Sequence, residues 1–371
     1  MKVLIAPLDW GLGHATRCVP IIREFLRQGA VVEIAVVKAN AAFFREAFPL
    51  LRQRLAPSYN IVYPKHGYNM GLWLAKNGNH LNKVIRFEHQ FAEEMVERHH
   101  YDILVSDNRF GFYSHKAKSI YMTHQRRIAF PKMLAAAESL GILWHNSVMR
   151  HFDEVWVPDV PEMPGYAGSM SHVRFCPRPV KYVGLLSRFS DMPHAANPSQ
   201  DESIQESFSD SYKFVAVVSG VEPARGRFEK RLADIFGSIP GRHAIIQGRP
   251  AVGYRTRVEG NVEYYSHLPD EQFARMVKSA EWIVSRGGYS TVMDMAVLGA
   301  KCVFIPTPGQ YEQEVLARNL DRSKHAAYIA ENELDRDSLM AAIENCEVQI
   351  PTAQKNDLLK TAVVQSFRKK V

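Results

Sequence analysis

The sequence predicts an α/β chain of two doubly wound, parallel-sheet domains joined by a polar linker. Three observations carry that prediction. Short β-branched and aliphatic runs alternate with stretches of helical periodicity, the pattern of crossover units and a parallel sheet. The alternation stops over residues 187–212, where Ser, Asp, Asn and Pro replace apolar residues, and then restarts. Finally, 371 residues are enough for two domains, and 46% hydrophobic with 23% charged residues is an ordinary globular composition, not that of a disordered chain.

The elements follow in order. Residues 2–7 read as a strand, 8–16 as a glycine-bearing loop and 17–28 as a helix. Val19, Ile22, Phe25 and Leu26 form the helix's apolar stripe, Gly29 ends it, and 31–37 is the next strand. Further strands are expected at 60–63, 103–106, 119–122 and 154–157, with a helix over 82–98. Beyond the linker, strands are expected at 213–218, 243–247, 262–265, 282–285 and 302–305. Helices are expected between them at 227–236, 270–277 and 290–298, and a terminal helix at 354–370. The domains are therefore drawn at 1–186 and 213–352, with 353–371 as an appended helix.

The charge is unevenly placed. Residues 1–186 hold 23 Lys and Arg against 15 Asp and Glu, whereas the remaining 185 residues hold 23 against 24. Eleven of the fifteen histidines also lie in the first half. A basic first domain points to an anionic partner, with a solvated surface as the plain alternative. The N-terminal apolar run is interrupted by Asp9 and too short for a signal peptide, and no apolar stretch is long enough to span a membrane. Cys18, Cys176, Cys302 and Cys346 lie far apart without metal-like spacing, so a reduced, cytoplasmic setting and no metal are expected.

Three clusters carry chemistry. The loop Gly11-Leu12-Gly13-His14-Ala15-Thr16-Arg17 follows a strand and opens a helix, where backbone amides approach an anion. Thr16 stands where a dinucleotide fingerprint needs its third glycine, and a tight turn alone does not account for His14. At the carboxyl edge of a parallel sheet a neutral imidazole can take a hydroxyl proton. Asp107 ends the strand at 103–106 on the same edge, where a carboxylate fixes the imidazole's tautomer; capping the next segment is its other use. In the second half, Arg286-Gly287-Gly288-Tyr289-Ser290-Thr291 runs through a turn into a helix with Asp294 one turn on. Small residues, hydroxyls and a helix N-terminus make a phosphate cradle.

These motifs resemble the GT-B glycosyltransferases that use nucleotide sugars, in the superfamily of MurG and the UDP-glycosyltransferases. Gly11-Leu12-Gly13-His14 matches that family's opening Gly-x-Gly-His loop. The stretch from Arg286 to Asp294 matches its His-Cys/Gly-Gly-Trp-Asn-Ser-Thr-x-Glu signature, and the stretch from Glu312 to Ala317 its downstream Asp-Gln element. The resemblance implies two Rossmann-like domains facing across a cleft, with the terminal helix packing back on the first. It implies His14 as the base and Asp107 as its orienting carboxylate. Gly287, Gly288, Ser290 and Thr291 become the diphosphate cradle, and Asp294 the ribose contact. Gln310, Glu312 and Gln313 fall on the donor sugar, and Leu268 in the loop that holds the base. Ser219, Gly220, Arg225 and Arg286 are expected near phosphate, and Gly11, Gly13, His124 and Gln125 on the acceptor side.

This chain departs from the family at Arg286, Leu316 and the loop 219–225. The expected function is an inverting, metal-independent transfer from a nucleotide sugar, a UDP-sugar such as UDP-GlcNAc, to a hydroxyl on a lipid-linked or cell-envelope glycan. No cofactor is implied beyond the sugar nucleotide. Lys116, Lys118, Arg126, Arg127 and Lys132, near Phe110, Phe112 and Tyr113, are the expected basic patch for an anionic acceptor or the membrane's inner face. A transferase acting on DNA bases, a nucleotide-sugar epimerase and a non-catalytic sugar-nucleotide-binding subunit remain the alternatives.

Overall fold

The structure is a computed structural model that describes residues 1–9, 12–59, 70–128, 135–191, 211–220, 222–249, 253–346 and 357–368. Two compact units form: Met1–Arg188 together with Gln354–Val371, and Phe189–Ala353.

In the first unit the described elements are β1 (Lys2–Pro7), α1 (Leu12–Arg27), β2 (Val31–Val36), α2 (Lys38–Ala47), β3 (Gln53–Leu55) and α3 (Met70–His99). They continue with β4 (Ile103–Asp107), β5 (Lys118–Met122), α4 (Ala135–Met149), β6 (Glu154–Val157) and β7 (Val180–Tyr182). The strands lie in the order β3-β2-β1-β4-β5-β6-β7, and every pair is parallel. Helices cover both faces of such a sheet, which is why β1 and β4 are buried along nearly their whole length. The chain leaves β1 toward β2 on one side and returns as β4 on the other. The carboxyl ends of β1 and β4 are thus the switch point where an open α/β sheet forms its ligand crevice.

The second unit repeats the plan with β8 (Tyr212–Val217), α5 (Ala224–Gly237), β9 (His243–Ile246), β10 (Thr256–Glu259), β11 (Val262–Tyr265) and α6 (Asp270–Ser279). After these come β12 (Ala280–Ser285), α7 (Tyr289–Leu298), β13 (Cys302–Phe304), α8 (Tyr311–Arg322), β14 (Ala327–Tyr328) and α9 (Arg336–Glu344). The order is β10-β11-β9-β8-β12-β13-β14, parallel except for β10 against β11. Its switch point lies between β8 and β12. Phe214, Phe228, Leu232, Phe236, Ile245, Val284 and Val303 pack as one buried cluster on this sheet. The last helix, α10 (Asp357–Ser366), belongs to the first unit: Leu359 and Val363 are buried, and the Phe367 ring lies 6.0 Å from that of Phe25 on α1.

Several expectations change. Helix α1 begins at Leu12, not at residue 17, so the expected loop over 8–16 is shorter and His14 stands in the first helical turn. The first turn carries no apolar stripe, since Leu12 is exposed and His14 only half-buried, and in the sequence Gly11 and Gly13 read as loop. The strand expected at 60–63 lies outside the described residues, and the strand paired with β2 is β3, whose Gln and Arg hide it. Most of the expected linker also lies outside the described residues. Its first part is anchored: Phe189 is buried and stacks on Phe273 of α6 at 5.4 Å.

Candidate active site

In the first unit, β1 and α1 bring His14 to the switch point and β4 delivers Asp107 beside it. His14 Nδ1 lies 2.9 Å from Asp107 Oδ2. Asp107 is fully buried, as expected for a residue closing a central strand. A third group completes the cluster. Arg17, one helical turn beyond His14, donates from Nε to Asp107 Oδ1 and Oδ2 at 3.0 and 2.9 Å, and its Nη2 also meets Oδ1. Burial alone would raise the Asp107 carboxyl, but Arg17 and then His14 outweigh it and bring it down to about 2. Burial, followed by the Arg17 charge, pushes the His14 imidazole below its ordinary value against the opposing pull of Asp107.

His124, in the loop after β5, is buried with Nδ1 3.4 Å from Arg17 Nη1, so it joins the same cluster. Gln125 follows it, half-buried, with its backbone amide on Thr123 Oγ1 at 3.1 Å. The Gly13 carbonyl accepts from Thr16 Oγ1 at 3.0 Å, and Gly11 lies outside the described residues. Arg17 is not singled out by the motifs of the sequence. Its signal was spacing: a residue three after His14 shares its helix face.

Among the described residues the expected basic patch does not form. Arg126 is buried and donates to the Ser171 and Phe175 carbonyls. Lys116 pairs with Glu97, Arg127 with Glu138, and Lys118 with Glu154. Lys118 opens β5, so it sits at the edge of the sheet opposite to Asp107. Phe112 and Tyr113 are buried and Phe110 packs on Trp144, so these aromatics serve the core. Lys132 lies outside the described residues.

In the second unit the loops after β8, β12 and β13 lie side by side because those strands are neighbours. Ser219 and Gly220 are exposed after β8, and Gly220 takes φ 110°. Gly287 and Gly288 differ in kind. A Cβ on Gly287 would meet the Gln313 carbonyl at 3.3 Å and the Ala317 Cβ at 3.6 Å, so this glycine lets α8 pack against the turn. A Cβ on Gly288 would meet only Thr291 Oγ1 at 3.9 Å. Gly288 caps α7 without a side-chain hydrogen bond, and Ser290, Thr291 and the mostly buried Asp294 follow on that helix.

Both arginines expected at the phosphate are tied to protein. Arg225 is buried, with Nε on Glu222 Oε1 and Nη1 on Glu229 Oε2, each at 2.7 Å, and Nη1 also on the Gln247 carbonyl. Arg286 is buried, donates to the Ile305 and Pro306 carbonyls and Glu331 Oε2, and lies 3.7 Å over the Phe228 ring. It braces the ends of β12 and β13. Gln313 accepts from the Thr307 amide at 2.9 Å and donates to Gln310, holding the loop after β13, with Glu312 half-buried beside it. Leu268 is buried in the turn after β11.

Comparison with known proteins bears on this arrangement. A profile of the glycosyltransferase family 28 C-terminal domain matches residues 253–370. A stretch of 75 residues is 36% identical to the UDP-N-acetylglucosamine–N-acetylmuramyl-(pentapeptide) pyrophosphoryl-undecaprenol N-acetylglucosamine transferase of Bacillus pumilus (strain SAFR-032). That match covers 20% of this chain and 21% of that enzyme, about a fifth of the curated relative's length. The solved glycotransferase of kitacinnamycin superposes with a TM-score of 0.62 at 15% identity, over 98% of this chain and 95% of that one. Spinosyn rhamnosyltransferase SpnG complexed with thymidine diphosphate gives 0.59 at 15%, over 99% and 95%. MurG of Acinetobacter baumannii gives 0.54 at 12%, over 99% and 94%. At such identities the likeness is one of fold. A family 28 C-terminal domain profile thus matches about a third of the chain, and the fold along nearly the whole chain is the one seen in solved glycosyltransferases, MurG among them.

Proposed function

We propose that the chain is an inverting, metal-independent glycosyltransferase in which the first unit activates an acceptor hydroxyl and the second holds the nucleotide-sugar donor. The observation that carries the reading is the imidazole–carboxylate pair at the first unit's switch point. With Nδ1–H held by Asp107, His14 Nε2 presents a lone pair and takes the hydroxyl proton. The acceptor oxygen then bonds to the anomeric carbon opposite the leaving group, and the bond from that carbon to the diphosphate oxygen breaks. The nucleoside diphosphate leaves with the electron pair, so a single displacement inverts the configuration.

Charge growing on the diphosphate is met by the N-terminal amides of α7 behind Gly288. Arg225 and Arg286 act as braces of that cradle. Asp294 takes the ribose, Glu312 with Gln313 the sugar hydroxyls, and the turn at Leu268 the base. A UDP-sugar such as UDP-GlcNAc is the donor, in line with the reaction named for the Bacillus pumilus relative. A thymidine nucleotide is the second reading, favoured by the ligand in the spinosyn enzyme. The acceptor is a lipid-linked glycan met at the membrane surface, on the side from which the sugar nucleotide is supplied. Exposed Leu140 and Leu143 on α4 and Phe87 on α3, with exposed Lys83 and Arg86, support that placement. No helix among the described residues is long and apolar enough to cross a membrane.

Thermal melting against a panel of UDP- and TDP-sugars tests the reading. UDP-GlcNAc is expected to raise Tm by mass action. A shift with TDP-sugars alone moves the donor to the second reading, and no shift with any sugar nucleotide defeats the proposal.

A further inference from the structure

A plain imidazole–carboxylate pair needs two side chains, and here a third fills the same pocket. Arg17 is buried, and its guanidinium reaches every partner that orients the base. Its Nε and Nη2 fork onto Asp107, its Nη2 lies 2.8 Å from His14 Nδ1, and its Nη1 lies 3.4 Å from His124 Nδ1. A guanidinium only donates. His14 Nδ1 therefore has two exclusive options: donate to Asp107 Oδ2 at 2.9 Å, or accept from Arg17 Nη2 at 2.8 Å. In the first, Nε2 is a base. In the second, Nε2 carries the hydrogen and can only donate.

We propose that Arg17 is a positioning residue of the transfer site: it clamps Asp107, competes with it for His14 Nδ1, and so keeps the base neutral and sets which ring nitrogen carries the hydrogen. The proposal rests on the reading of His14 as the base. The physical reason is compensation. An uncompensated buried carboxylate would draw a proton onto the imidazole and hold it there as the imidazolium. With Arg17 bound, Asp107 is already neutralised, and a second cation beside the guanidinium is disfavoured. The base stays available, and the proton it collects is readily passed on after transfer.

Among the described residues, the titratable and charged groups around this pocket are few. Arg17 and Cys18 come from α1, Asp107 from β4, and Tyr121 and His124 from β5 and the loop after it. Cys18 and Tyr121 both have their pKa raised by burial first and then by Asp107, so they stay uncharged at neutral pH. Arg17 and Asp107 thus dominate the field at His14.

The test is a histidine titration by NMR on the full chain labelled at its imidazoles, with His14 assigned through His14→Ala. In the wild type, His14 is expected to titrate below the ordinary histidine value. Arg17→Met removes the compensating charge and is expected to raise the His14 midpoint by about one pH unit or more, as for an imidazole beside a lone carboxylate. Arg17→Lys keeps the charge and is expected to stay close to wild type. With a working donor, the acidic limb of kcat/KM is expected to move up in step with the Met variant. An unmoved His14 midpoint in Arg17→Met overturns the proposal, because a merely structural arginine would lower Tm without shifting that titration. If Arg17→Met does not fold, the wild type decides: a His14 midpoint above the ordinary value overturns the proposal. The two readings fail separately. Absence of transfer with every donor defeats the glycosyltransferase reading and leaves this titration standing.

Discussion

His14 and Asp107 are adjacent, yet their removal is expected to cost different things. His14→Ala removes the proposed base from a partly exposed position, so turnover should fall by roughly a hundredfold or more with donor binding little changed. Asp107→Asn leaves Arg17 buried without its counter-charge, a loss of about 3–5 kcal/mol for a broken buried pair. Its Tm should therefore drop well below that of His14→Ala, and thermal melting of the two variants side by side checks this. The paired glycines separate in the same way. Gly287→Ala presses on the Gln313 carbonyl at 3.3 Å and should lower stability, whereas the Cβ of Gly288→Val meets only Thr291 Oγ1 at an ordinary 3.9 Å, so that variant should leave Tm near wild type and should abolish donor affinity. Calorimetric titration of the nucleoside diphosphate reads the second effect, and retained affinity in Gly288→Val would remove the phosphate from this turn. Asp107 is legible from its strand-end position, and His14 and the glycines from the strand-to-helix passages that carry them. Arg17 is not, because its role depends on a guanidinium reaching a strand 90 residues away in the chain.

At the scale of elements, α4 and β5 share a buried histidine that carries a pH dependence. His145 donates or accepts through Nε2 with Tyr121 Oη at 3.0 Å, and burial brings its pKa down to about 4. Its folded-state pKa is depressed, so its contribution is present above the ordinary value near 6.5 and is lost as pH falls toward 4, where the unfolded chain takes the proton first. The loss is on the order of 3 kcal/mol across that window. Denaturant unfolding at pH 7 and at pH 4.5 should show it, and His145→Gln should flatten the difference; an equal fall in the variant would assign it elsewhere. The long buried strands were readable from their apolar runs. The edge strands β3 and β10 were not, since Gln53–Leu55 and Thr256–Glu259 are short and polar and gain their strand geometry only from a neighbour's ladder. The start of α1 is hidden for a related reason: its first turn has an exposed Leu12 and a half-buried His14 and shows no apolar periodicity.

For the whole molecule, the chain's return to its first unit has a direct consequence. Deleting residues 354–371 uncovers α1 and removes the buried Leu359 and Val363, about 3–6 kcal/mol of apolar burial. The first unit should then melt several degrees earlier while nucleotide affinity, assigned to the second unit, persists. A fragment of residues 211–346 should retain that affinity on its own. A folded fragment without it would contradict the placement of the donor.

The sequence alone carries the pattern: alternating strands and helices in two series, a restart after a polar stretch, Asp107 at a strand end, and His14, Gly287 and Gly288 in the segments that lead from a strand into a helix. Those features are local, written in periodicity and in turn chemistry. Folding alone settles how charge is paired. From sequence, Arg225, Arg286 and Arg126 read as cations waiting for an anion, but folding buries each against an acidic or carbonyl partner within the protein. It also brings Arg17 onto Asp107. A charge cannot be buried without a partner, and the partner comes from whichever strand or loop the fold sets beside it.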